Sequence, residues 1–319
     1  MPELKRSKTA AIFPAFGCRY RGNEQEILNG LSGDLRDMLS RACKSVDINM
    51  HEFLSRAGGD FKDELQSQYA VYLYGCAVSN IVKRYGIHTD YAAGYSMGLY
   101  AALYHAESIT FEQGLDLITA AAAAIRRATA GLEFGLGVIS GLVRDDVRAL
   151  IATHHDLEII NINNRHSVLI SGYLKHVREV LSRAKSEGAL NATLLTFNSP
   201  YHSRFMNGAA REFRDCCAGV RIYDPLCRII STVDQREISS AEGVLSDLVD
   251  NINHNINWLA TMERMISTGT DVFIECGPGK SLRNIAKFID GDFVVYHLNK
   301  INELFSSRGV CTSADAVNQ

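Results

Sequence analysis

The sequence predicts an α/β protein with a parallel sheet and a small ferredoxin-like module inserted into it. Three observations carry this. Strand-like and helix-like patterns alternate from the N-terminus; between Gly131 and Phe197 the order becomes β-α-β-β-α-β; and α/β signals return afterwards in DVFIECGPG and FVVYHL.

The first strand is read at AAIF, closed by the PAFG turn. From Gln25 to Val46, apolar residues at helical spacing (Ile27, Leu28, Leu31, Leu35, Met38, Leu39) predict an amphipathic helix or a pair, since Gly30 and Gly33 interrupt the pattern. A helix over Gln66–Tyr85 ends at Gly86, HTDYAAGY gives a short strand, and Met97–His105 is helical again. The insert then runs FGLGVISGL, a helix at Arg144–His154, LEIININ, SVLISG, a helix at Leu174–Glu187, and ATLLTF. Residues 1–130 and 198–301 are thus assigned to the large domain, 131–197 to the insert, and the polar, aperiodic stretch 302–319 to a flexible tail.

Composition bounds the function. A chain of 319 residues with 46% hydrophobic and 22% charged residues can bury a full core, and 33 Lys+Arg against 36 Asp+Glu give no basic field for nucleic acid. The eight cysteines show no C-x-x-C pair or zinc spacing, which predicts reduced thiols in a cytoplasmic protein and no metal site. Lys5, Arg6 and Lys8 precede an apolar stretch as in a signal peptide, but Pro14 breaks it and no A-x-A site follows, so the N-terminus is expected to be retained. No apolar run is long enough for a membrane span.

The most informative string is Gly94-Tyr95-Ser96-Met97-Gly98, a G-x-S-x-G between a predicted strand and a predicted helix. A nucleophile elbow needs that context: the sharp turn exposes the serine oxygen, the glycines permit close approach, and the helix N-terminus favours developing negative charge. The same letters would also suit a glycine turn with a capping serine. A serine needs a base. His154, His155, His166 and His176 fall in polar contexts that read as solvated surface, whereas His202 follows ATLLTF and NSPY, where the insert returns the chain to the large domain. Active sites favour such junctions, although a histidine packed at a domain seam would occupy the same place.

Taken in order, IFPAFG, GYSMGLYAAL, NINNRHSVLISG, SPYHSRFM, NINW and IECGPGKSL resemble the malonyl-CoA:acyl-carrier-protein transacylase family, which includes the acyltransferases of polyketide synthesis; the match runs from about Ala10 to Asn299. The resemblance implies an α/β-hydrolase-like large domain and a ping-pong acyl transfer through a Ser–His dyad, without a bound cofactor. Ser96 would attack the acyl thioester of CoA or a carrier. His202 would take its proton and later activate the phosphopantetheine thiol of an acyl carrier protein. The backbone carbonyl of Asn257 would orient His202, and the N–H groups of Phe16 and Met97 would form the oxyanion hole.

Departures from the family pattern bear on the substrate. Tyr95 and Leu99 stand where the family writes histidine and glutamate in G-H-S-x-G-E. Ala121 stands 25 residues after the serine, where malonyl-specific members carry the arginine that grips the free carboxylate. On a helix, Arg126 and Arg127 would point about 140° and 120° away from that face. Tyr95, Ala121, Ile125 and Tyr201 are therefore assigned to an acyl pocket for an uncharged group, with Arg19 or Arg165 as the residues that could restore a malonyl site. Arg204, Lys280 and Arg283 are candidates for docking an acidic carrier. Two other readings use the same fold: an acyl-carrier hydrolase, in which water replaces the second thiol, and a catalytically silent carrier-binding subunit, against which the retained Ser96 and His202 speak.

Overall fold

The computed structural model describes residues 7–15, 24–31, 33–48, 63–197 and 199–307. Strand β1 (Lys8–Phe13) is buried along AAIF and forms the middle of the larger sheet. The amphipathic stretch after it is a pair of helices, α1 (Glu24–Leu31) and α2 (Asp34–Ser45), separated at Gly33, whose φ of 71° no helix continues. Helix α3 (Glu64–Arg84) is capped by the Asp63 carboxylate, which accepts from the Leu65 N–H. Nearly every side chain from Ser67 to Val82 is buried, so this helix runs through the main core.

Strand β2 (Tyr91–Gly94) lies parallel to β1 and leads through the Ser96 turn into α4 (Gly98–His105). Helix α5 (Phe111–Thr129) starts with a capping box between Thr110 and Gln113. The chain then builds a second sheet from β3 (Phe134–Ser140), α6 (Arg144–Ile151), β4 (Glu158–Asn164), β5 (Ser167–Tyr173), α7 (Leu174–Ser186) and β6 (Asn191–Leu194). Its strands are antiparallel in the order β4-β5-β3-β6, and Ile139, Val168 and Ile170 pack beneath Val147, Val177, Val180 and Leu181 as a core of its own.

Returning to the larger sheet, the chain adds α8 (Asn207–Cys217), β7 (Arg228–Ile230), β8 (Glu237–Ile238), α9 (Ala241–Asn253), α10 (Trp258–Ser267), β9 (Thr270–Glu275), α11 (Ser281–Ala286) and β10 (Val294–His297). The order is β10-β9-β1-β2-β7-β8, parallel except for the β7–β8 pair. The two sheets meet where Ile256 bridges Asn161 and its N–H donates to the Ile160 carbonyl at 2.9 Å.

The tail expected from Asn302 needs correction. Helix α12 (Ile301–Ser307) occupies its start, Leu304 and Phe305 are buried, and the Phe305 ring stacks on Tyr85 at 4.2 Å. Three apolar residues at i, i+3 and i+4 (Ile301, Leu304, Phe305) are enough to seat one turn and a half on the core. Residues 308–319 lie outside the described residues. No helix among the described residues is long and apolar enough to cross a membrane.

Candidate active site

Parallel sheets present their working loops at the carboxyl ends of the strands, and here the end of β2 supplies Ser96. The turn is too tight for side chains at its glycines. A Cβ on Gly94 would stand 2.1 Å from the Leu99 nitrogen, and one on Gly98 would stand 2.2 Å from the Phe13 carbonyl oxygen. Ser96 itself holds a left-handed φ of 55°, a conformation that costs a non-glycine residue free energy and that gathers at functional sites. Its carbonyl accepts from the Leu99 N–H at 3.0 Å and from the Asn251 side-chain amide at 3.1 Å.

His202 reaches the serine from the other side of the chain's return: Ser96 Oγ and His202 Nε2 are 2.6 Å apart. This histidine is also left-handed, with φ 58°. Its backbone is pinned at both ends, the N–H donating to the Ile252 carbonyl at 3.1 Å and the carbonyl accepting from the Asn255 amide at 2.7 Å. Burial lowers the imidazole's pKa to about 4, against the opposing pull of the Asn251 backbone, which favours the charged ring. At neutral pH His202 is therefore uncharged and able to accept the Ser96 proton.

The expected role of Asn257 requires correction. Asn257 is the N-cap of α10: its side chain accepts from the Ala260 N–H, and its carbonyl is taken by the Thr261 N–H at 3.0 Å and hydroxyl at 2.8 Å. The backbone group that acts on the His202 imidazole is that of Asn251, in the last turn of α9, and among the described residues none is hydrogen-bonded to His202 Nδ1. Asn251 thus serves both members of the pair, through its amide to Ser96 and its backbone to His202. Sequence reasoning missed it; the available signal was a buried polar residue, four after the buried Asp247, on the inward face of an otherwise apolar helix.

Tyr95 ties the turn to the small sheet. Its hydroxyl donates to Asn163 Oδ1 at 2.7 Å and accepts from the Asn161 amide at 2.6 Å, while Asn161 Oδ1 accepts from the Trp258 backbone N–H at 3.2 Å. Its ring meets the Trp258 indole edge to face at 5.4 Å. Asn161 and Asn163, two apart on β4, were also missed; alternating buried asparagines in NINN are the trace they leave in the sequence.

A cavity of about 220 Å³ opens above the pair, lined by Ala15, Tyr95, Ser96, Leu136, Ile160, Asn161, Leu169, Leu195, Phe197, Tyr201, His202 and Ile256. Tyr95 and Tyr201 are among the residues that line it. Ala121 and Ile125 are not: both are buried on the face of α5 that packs into the main core, and neither lines this cavity. The apolar wall of the cavity is supplied largely by β3, β4 and β5 and by Leu195 and Phe197, which follow β6. Behind Tyr201, whose hydroxyl donates to Glu64, burial raises the Glu64 carboxyl's pKa. Arg165 pairs with Asp290 at 3.2 Å, with both side chains largely exposed. Arg204 pairs with Glu158 at 3.1 Å, and Lys280 and Arg283 lie at the N-cap and in the first turn of α11. Met97, just after the serine, is buried at the N-cap of α4. Phe16 and Arg19 lie outside the described residues.

The geometry can be set beside known proteins. The family model of the acyl transferase domain matches residues 29–287. The chain belongs to this acyl transferase family. Among curated acyl transferases it is 28% identical over 285 residues to the polyketide-biosynthesis malonyl CoA-acyl carrier protein transacylase BaeC of Bacillus velezensis, covering 86% of this chain and 94% of that one. It is 24% identical over 303 residues to the malonyl CoA-acyl carrier protein transacylase of Staphylococcus aureus, covering 93% and 97%. The crystal structure of the acyl-carrier-protein S-malonyltransferase of Burkholderia pseudomallei superposes with a TM-score of 0.86 at 26% identity, over 94% of this chain and 99% of that one. The mixed α/β architecture with its parallel sheet is the one these acyl transferases share.

Proposed function

We propose that this acyl transferase moves an uncharged acyl group from CoA or a carrier, through an acyl-Ser96 intermediate, to the phosphopantetheine thiol of an acyl carrier protein in fatty-acid or polyketide-type synthesis. The observation that carries the chemistry is the 2.6 Å contact between Ser96 Oγ and a buried, uncharged His202 at the floor of an apolar cavity.

In the first half-reaction Ser96 Oγ attacks the thioester carbonyl as its proton passes to His202 Nε2; the C–S bond breaks and the leaving thiolate takes that proton back. In the second, His202 removes the proton of the phosphopantetheine thiol, which attacks the acyl-serine ester and restores Ser96. The Met97 N–H, with that of Phe16, is assigned to the developing oxyanion. The carrier as acceptor follows the named activity of the relatives, and Arg204, Lys280 and Arg283 remain the residues assigned to its docking.

The preference for an uncharged group rests on the cavity wall. Among the described residues that line it none is cationic, and Glu64 stands behind Tyr201 with a carboxyl of its own. A malonyl carboxylate buried there without a partner would pay a desolvation cost large enough to slow loading by roughly a hundredfold or more. The nine aliphatic and aromatic side chains around the cavity would reward added methylenes instead, by about 0.8 kcal/mol for each one buried.

Incubation with acetyl-CoA and a holo acyl carrier protein tests the reading. Acyl-carrier formation outpacing free acetate release supports transfer. Release of acetate without carrier acylation would instead establish the hydrolase.

A further inference from the structure

We propose that His154, His176 and Glu179 form a binding site for a divalent transition-metal ion of the zinc type, on the outer face of the small sheet's helices. His154 lies in the connection between α6 and β4, while His176 and Glu179 are three apart on one face of α7. One donor atom from each of the three lies within 4.8 Å of the others, and the two imidazole rings are 4.8 Å apart between centroids. A tetrahedral ion about 2.0–2.1 Å from each donor needs them about 3.3 Å from one another, which asks for side-chain rotation among the part-exposed His154 and His176 and the exposed Glu179.

The second observation concerns orientation. Both oxygens of Asp156 hold His176 Nδ1, at 2.9 and 2.8 Å. A carboxylate on one ring nitrogen fixes the tautomer and ring orientation and makes the other nitrogen a stronger donor, as in the carboxylate–histidine–metal arrangement of bound sites. Two imidazoles and one carboxylate suit zinc, nickel or cobalt and not magnesium or calcium, which take oxygen donors. The side chains of His154 and His176 are part-exposed and that of Glu179 exposed, which leaves a coordination position for water. Bound there, the ion would clamp the connection before β4 to α7. The sequence holds no compact metal motif because the ligands come from two segments.

Isothermal titration of the full chain, stripped with a chelator, with zinc chloride and separately with magnesium chloride tests this. One equivalent of zinc and no magnesium is expected. His176→Ala and the conservative, exposed Glu179→Gln should each weaken zinc binding tenfold or more, and Asp156→Asn by roughly ten- to a hundredfold. The cobalt-loaded protein should show the bands of a nitrogen–oxygen site without a thiolate band, which separates the site from the exposed Cys43 and Cys216. Absence of stoichiometric zinc binding, unchanged affinity in all three variants, or a thiolate band would overturn the assignment.

Discussion

Ser96 and His202, 106 residues apart in the chain, meet at 2.6 Å while both backbones hold the left-handed conformation, φ 55° and 58°. Neither residue gains stability from that arrangement. The surrounding contacts hold it: Asn251 on the Ser96 carbonyl, and Ile252 and Asn255 on the backbone of His202.

The strain at the serine has a measurable signature. Ser96→Ala and Ser96→Gly both remove the nucleophile, but only glycine adopts the left-handed turn without steric penalty. Ser96→Gly should be the more stable of the two by about 1 kcal/mol in urea denaturation. Equal stabilities would mean that the turn relaxes in solution.

Close approach of β1 to the start of α4 predicts the behaviour of Gly98. In Gly98→Ala the new Cβ would lie 2.2 Å from the Phe13 carbonyl oxygen and 2.9 Å from that of Pro14, both backbone atoms with little room to yield. A loss of about 3 kcal/mol or more is expected on the same denaturation curves, and a near-neutral substitution would contradict the described turn.

Asn251 and Asn257 should separate cleanly. Asn257→Ala removes a helix cap and should cost about 1 kcal/mol of stability with little change in kcat/KM. Asn251→Ala keeps its backbone beside His202 but removes the side-chain amide from the Ser96 carbonyl, leaving that carbonyl the Leu99 N–H alone, so it should lower kcat/KM by more than Asn257→Ala does. The reverse order in acylation assays would show that the Asn257 side chain, and not that of Asn251, supports the pair.

Burial lowers the His202 pKa to about 4, from an ordinary value near 6.5. The neutral imidazole, the form that accepts the Ser96 proton, therefore persists well below neutrality. Acylation should fall on the acid side only as pH drops through about 4, and a pH–rate profile of acyl-enzyme formation checks this. An acid limb centred near 6.5 would show an exposed, hydrated histidine.

How much was legible in the sequence depends on whether a feature is local. The β1 strand, the Gly94–Gly98 turn and the β-α-β-β-α-β succession are written in short-range patterns, and the structure forms each of them. The pairing of Ser96 with His202 was readable because Ser96 follows β2 directly and His202 lies where the small sheet hands the chain back to the larger one. What was missed is tertiary. Asn251 looks like any polar residue in DLVDNIN until α9 is packed against the serine turn, and Ala121, assigned to the pocket by its offset from the serine, faces the core because the apolar side of α5 is needed there. Helix α12 was passed over because three apolar residues make too short a pattern to stand out from a polar tail.

The account is tested most directly by the intact mass of the protein, with peptide mapping, after timed incubation with acetyl-, longer acyl- and malonyl-CoA. A single acyl adduct on Ser96, absent from Ser96→Ala and forming roughly a hundredfold or more faster from acetyl-CoA than from malonyl-CoA, is the predicted result. An adduct mapping to another residue would contradict the Ser96–His202 site, and preferential loading from malonyl-CoA would contradict the uncharged acyl pocket.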